Sequence, residues 1–257
     1  MYRNRAGQLF AAGHDSAGVT APALEWFLAE GASGPFFDLF VLLANPGPTD
    51  ASVTVDYLLL GGGVLSKTYA VAASSRRTIW VDAEELPAGS GEHPLANVSV
   101  SAAVRSTNGV PIVVERTMWW PGPKTTPDFW YEAHNAFGTT ATAPAWLVAG
   151  GEVGGADAAE TYVLIANPSS TAGTVRVTLL RDTGGPPPAP LTLSVAASSR
   201  TNIPIGSRFT GVSGRFGVLV ESVDTPPLPL VVEAAIYASP GGVTWASGGA
   251  ALATPIR

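Results

Sequence analysis

His14, Asp15 and Ser16 are the residue types of a hydrolytic triad set side by side. Consecutive side chains on a strand or turn diverge, however, so the three cannot line up as nucleophile, base and orienter. His134 repeats His14, but Asn135 and Ala136 stand where Asp15 and Ser16 would recur. A structural, hydrogen-bonding histidine is therefore expected at both places. His93 sits in a Gly/Pro loop with no acidic or His partner at metal-ligand spacing and reads as solvated. Asp38, Asp56, Asp82 and Asp157 form no D-x-D-x-D calcium loop. Phosphate-loop, nucleophile-elbow and zinc-helix patterns are missing from the sequence, and zero cysteines exclude thiolate chemistry. The expectation is a chain with no catalytic residue, no cofactor and no metal, and hence no enzyme.

Two other constellations recur along the chain. Glu115 and Glu233 each close a P-[IL]-V-V-E strand, while Arg76, Arg77 and Arg200 follow a Ser-Ser pair. One account is a partly buried Arg–carboxylate pair pinning two strands; removing one partner would cost about 3–5 kcal/mol. The sharper account makes the same residues a polar ligand pocket. Aromatics crowd a second place: Trp119, Trp120, Trp130 and Tyr131. Such rings serve either packing and interfaces or stacking on a glycan. Trp119-Trp120 is replaced by Tyr237-Ala238 in the second occurrence, which speaks against one shared glycan site per unit.

The elements that position these residues come from a duplication. LLANPGPTDASVTVDYLL (42–59) returns as LIANPSSTAGTVRVTLL (164–180), and VAASSRRTI (71–79) returns as VAASSRTNI (195–203). Trp26 and Trp146 lie 120 residues apart, Asn45 and Asn167 122, and Glu115 and Glu233 118. Residues 10–31 also match 130–151, so the repeat is out of phase with the chain, giving two bodies and three tails. The expected division is an orphan tail over 1–25, able to act as a donor segment, then repeats over 26–145 and 146–257.

Apolar residues make up 46% of the chain and charged ones 13%, with 29 Gly and 22 Pro. That balance excludes a disordered chain and a helical bundle. Strand signals run over 37–43, 52–60, 67–72, 77–81, 98–104 and 110–115. Val53, Val55 and Tyr57 alternate with Ser52, Thr54 and Asp56, and Val175, Val177 and Leu179 repeat the pattern. Asn45-Pro46 and Asn167-Pro168 suit the opening of a type I turn, while Gly61-Gly62-Gly63 and Gly184-Gly185 suit hairpins. Only 82–86 hints at a helical turn. The fold class is all-β: two tandem antiparallel β-sandwich domains related by the internal repeat. A net charge of −6 with scattered basic residues gives nucleic acid no footing, and no apolar run is long enough to span a bilayer.

The Trp-led strand with AEG, the LANP turn, the alternating strand, the V-A-x-S-R-T segment and the PIVVER strand resemble the repeats of large secreted bacterial surface proteins. More distantly they resemble the small β-sandwich domain of sensory rhodopsin transducers. The resemblance implies a β-sandwich, an extracellular or cell-surface setting and no catalytic activity. The second copy departs from it where Ala234 replaces Arg116. The expected function is a structural segment of a bacterial surface protein, with copies of itself as head-to-tail partners in a fibre joined by strand exchange. The alternative is a module binding a surface glycan or a protein partner.

Overall fold

The computed structural model describes residues 2–5, 8–14, 16–120, 132–182 and 186–256. Asp15, Trp130, Tyr131 and the Gly184-Gly185 turn lie outside the described residues. The chain divides into two compact units, residues 1–57 with 64–140 and residues 58–63 with 141–257.

The first unit contains β1 (Tyr2–Arg5), β2 (Gln8–Gly13), β3 (Glu25–Leu28), β4 (Asp38–Asn45), β5 (Ala51–Leu59), β6 (Val64–Val71), β7 (Ser75–Trp80), β8 (Val100–Ser106), β9 (Val113–Trp120) and β10 (Glu132–Phe137). β1 and β2 form a hairpin, and the remaining strands form two antiparallel four-stranded sheets, ordered β10-β9-β4-β7 and β3-β8-β5-β6. The second unit contains β11 (Ala145–Val153), β12 (Glu160–Asn167), β13 (Gly173–Arg181), β14 (Leu191–Val195), β15 (Ser199–Pro204), the single helical turn α1 (Ile205–Arg208), β16 (Gly214–Ser222), β17 (Val231–Ala238), β18 (Ser247–Leu252) and β19 (Thr254–Ile256). Its sheets are ordered β15-β12-β17-β18 and β14-β13-β16-β11-β19. Strand for strand, β15-β12-β17-β18 repeats β7-β4-β9-β10, so the sequence duplication is a duplication of topology.

The alternating strands bury the expected face. Val53, Val55 and Tyr57 are fully buried, as are Val175, Val177 and Leu179, while the intervening polar residues keep access to water. Two anchors fix each unit identically. Trp26 donates its indole N–H to Ile112 O at 2.8 Å, and Trp146 donates to Leu230 O at 2.9 Å. Asn45 donates from Nδ2 to Thr49 O (2.8 Å), Val71 O (3.1 Å) and Ala72 O (3.1 Å) and accepts from Gly47 N at 2.9 Å. Asn167 does the same with Thr171 O, Ala196 O and Ser169 N. The Asn-Pro pair is therefore more than a turn opener, because its buried amide ties the end of β4 or β12 to the neighbouring hairpin.

Between Trp80 and Leu86 the expected helical turn shrinks to one 3₁₀ turn, Val81–Ala83. Asp82, held at its centre, accepts from Gly34 N (3.1 Å) and Leu39 N (2.9 Å), which locks the loop before β4. Among the described residues, no helix is long and apolar enough to cross a membrane.

Candidate functional site

Adjacent residues on a strand face opposite ways, and this divides the residues singled out in the sequence. On β9, Arg116 and Trp120 join Val114 and Met118 on the inner face, whereas Glu115, Thr117 and Trp119 lie on the opposite face, with Thr117 also buried. Arg116 pairs across to Ala136 and Met118 to His134 on β10, so the arginine and the histidine meet inside the sandwich. Arg116 Nη1 lies 3.2 Å from His134 Nδ1, the Trp120 ring packs 5.2 Å from the imidazole, and all three side chains are buried. Glu30, on the loop that follows β3, is also buried. Burial, then the Arg116 charge and the His14 ring, hold the His134 imidazole well below its ordinary pKa. His134 is thus a neutral core histidine.

His14 stands outside this core and touches it. Its Nε2 lies 2.8 Å from Asn135 O, its ring is 6.1 Å from that of His134, and Asn135 Nδ2 donates to Ser16 Oγ at 2.7 Å. The segment that repeats the closing strand therefore sits on the closing strand itself, with β2 beside β10.

In the second unit the same positions are stripped. Register puts Ala234 where Arg116 lies, Ala238 where Trp120 lies and Gly249 where His134 lies, because Ile236 pairs with Gly249 as Met118 pairs with His134. Gly150 takes the place of Glu30. What remains is a groove of about 440 Å³ lined by Gly150, Ala234, Ile236, Ala238 and residues 247–251 of β18.

The expected ion pair of Glu115 with Arg76 or Arg77 is not formed. Arg76 and Arg77 point to opposite faces; Arg76 donates to Thr78 Oγ1 at 2.8 Å and Arg77 lies 5.1 Å over the Tyr69 ring. Leu42 pairs with Thr78 on one side and Glu115 on the other, so the residue in line with the glutamate is a threonine. In the second unit Leu164 is flanked in the same way by Asn202 and Glu233. There Arg200 donates from Nε to Asn202 Oδ1 at 2.5 Å, and both Arg200 and Glu233 are buried. Thr78 is exposed where Asn202 is half-buried.

Trp119 and Trp120 face opposite sides of β9, so they do not form one platform. Trp120 is buried, which removes it as a glycan-stacking ring. The ring on the opposite face is the one that recurs: Trp119 corresponds to Tyr237, Phe40 to Tyr162 and Asp38 to Glu160, with Tyr237 and Asp38 themselves buried. Around these, Trp80 stacks on Phe40 at 6.0 Å and donates to Asp38 Oδ1 at 3.0 Å. Trp245 stacks on Tyr237 at 4.8 Å, and Tyr162 donates to Glu160 Oε2 at 2.7 Å. Sequence reading missed this acid–aromatic group because Trp80 and Trp245 come from non-equivalent segments; the signal available was the period-two spacing of Asp38 with Phe40 and of Glu160 with Tyr162. Among the described residues, no three His, Cys, Asp or Glu side chains gather as a metal site.

No protein-family model matches the chain, and no curated protein sequence does. Among solved structures, the chain is similar to protein 1070 of Thermotoga maritima, with a TM-score of 0.37 and 14% identity over 46% of this chain and 94% of that one. It is also similar to the Anabaena sensory rhodopsin transducer, with a TM-score of 0.32 and 20% identity over 38% of this chain and 91% of that one.

Proposed function

We propose that this chain is a structural segment of an extracellular or cell-surface bacterial protein, whose tandem β-sandwiches join copies head-to-tail by exchange of the N-terminal segment. One observation carries the reading: residues 10–16 repeat the closing-strand segment 130–136, and His14 and Ser16 rest on Asn135 of that strand. A spare closing strand can stay on its own unit or move to the corresponding edge of another copy. Main-chain pairing at a sheet edge supplies the affinity, and a head-to-tail contact that does not close generates an open filament. The test is deletion of residues 1–20. The full chain should form concentration-dependent oligomers by size exclusion and filaments by negative stain, and the deletion should abolish both. Identical assembly before and after the deletion would refute the exchange.

The acid–aromatic group at equivalent places in both units, whose Trp80 ring is exposed in the first, supports a second reading, a module that binds a surface glycan. A glycan array on the full chain separates the two, since a structural spacer retains no sugar at millimolar concentration.

A further inference from the structure

The groove in the second unit is the mould of what the first unit holds. At four matched positions a large side chain gives way to a small one: Arg116 to Ala234, Trp120 to Ala238, His134 to Gly249 and Glu30 to Gly150. These substitutions fall in three separate parts of the chain, yet they converge on one space of about 440 Å³. Without an occupant, its apolar lining stays exposed to water. The groove opens beside β18, which ends its sheet, so the groove adjoins a free row of backbone N–H and C=O groups.

We propose that this groove and the edge of β18 accept residues 8–16 of a second copy of this chain by strand addition. This rests on the head-to-tail reading and names the acceptor that the reading requires. Three features select this occupant. Residues 10–16 duplicate the closing strand, and His14 matches the very histidine that Gly249 has lost. The segment already seats on β10, the counterpart of β18, through Asn135. Its run LFAAG (9–13) is apolar and uncharged, as is the lining of Ala234, Ile236 and Ala238. The Gly and Ala residues of β18 leave a low rim, over which side chains of an added strand can reach inward.

The chain contains no cysteine, so an engineered pair reports cleanly. Ala250 occupies in β18 the place that Asn135 occupies in β10. Ser16→Cys/Ala250→Cys, mildly oxidised in the full chain, should give a ladder of linked oligomers on non-reducing gels. Ser16→Cys/Asn135→Cys should instead close within one chain in the monomer fraction. Filling the groove with Ala238→Trp/Gly249→His should lower the 16–250 ladder at least tenfold. A ladder unaffected by filling, or only monomeric 16–250 protein while 16–135 closes, overturns the assignment. Mass photometry of the unsubstituted chain distinguishes the two failures: oligomers without the 16–250 link leave head-to-tail assembly standing and remove this acceptor, whereas a monomer at every concentration removes both.

Discussion

Replacing Asn45 by Ala should strip the first unit of its most connected polar side chain, with a loss that can be worked from the geometry. The amide is 1% exposed, directs Nδ2 at three carbonyls and accepts one backbone N–H. Nδ2 has two hydrogens, so three full hydrogen bonds are lost, each contributing about 1 kcal/mol net. The orphaned buried partners add desolvation penalties, and the sum is about 3–4 kcal/mol. For a unit of this size, that lowers its melting temperature by on the order of 10–20 °C. The assay is differential scanning calorimetry of the full chain, beside the matched Asn167→Ala. Each substitution should shift the transition of its own unit and leave the other in place. Asn45→Asp adds a diagnostic of sign. A carboxylate facing three carbonyls in a buried site has its pKa raised, so the folded state binds the proton more tightly than the unfolded state. The variant is therefore least destabilised at about pH 4 and becomes worse as pH rises through the folded pKa. Shifts under about 1 kcal/mol, or an Asn45→Asp penalty that does not change with pH, would refute the hub.

Three further outcomes follow from the same geometry. His134, whose folded pKa lies well below 6.5, binds more protons unfolded than folded, so its contribution is intact above pH 6.5 and lost as pH falls below it. Urea melts between pH 7.5 and 5 should show this fall, and His134→Gln should flatten it. Trp146→Phe removes the indole donor to Leu230 O and leaves a small void in a fully buried site, for a loss of about 2–3 kcal/mol by chemical denaturation. Trp26→Phe should match it within about 1 kcal/mol, because Ile112 O repeats the arrangement. Arg176→Ala breaks an exposed ion pair with Glu221 and should change stability by less than about 1 kcal/mol, with no dependence on added salt beyond that.

Much of the architecture is written in the residue order. Period-two alternation in 52–57 and 174–179 announced strands with one dry face, since side chains alternate across a pleat whatever surrounds them. The repeat announced two equivalent sandwiches, and the structure superimposes their strand order. The helical turn expected at 82–86 is a single 3₁₀ turn over 81–83, where Asp82 accepts from Gly34 and Leu39. Strand ends drifted as well: the segment read as 110–115 runs to Trp120, where tertiary pairing with β10 extends it.

The candidate site was less legible, for a reason visible in its residues. His14, His134, Glu115, Arg76, Arg77 and the Trp pair could be named from type and spacing, and which positions match between copies is a property of the sequence alone. Which of them meet depends on cross-strand register and on which way each strand faces, and neither is written in local pattern. Arg76 and Arg77 are equal in sequence, yet one turns to Thr78 and the other to Tyr69. Arg116 and His134 lie 18 residues apart and become neighbours only through the β9–β10 ladder. Residue order alone sets the duplication and the dry faces. That four scattered small residues empty one space in the second unit emerges from strand packing, because a cavity belongs to no segment of the chain and exists only where packed strands converge.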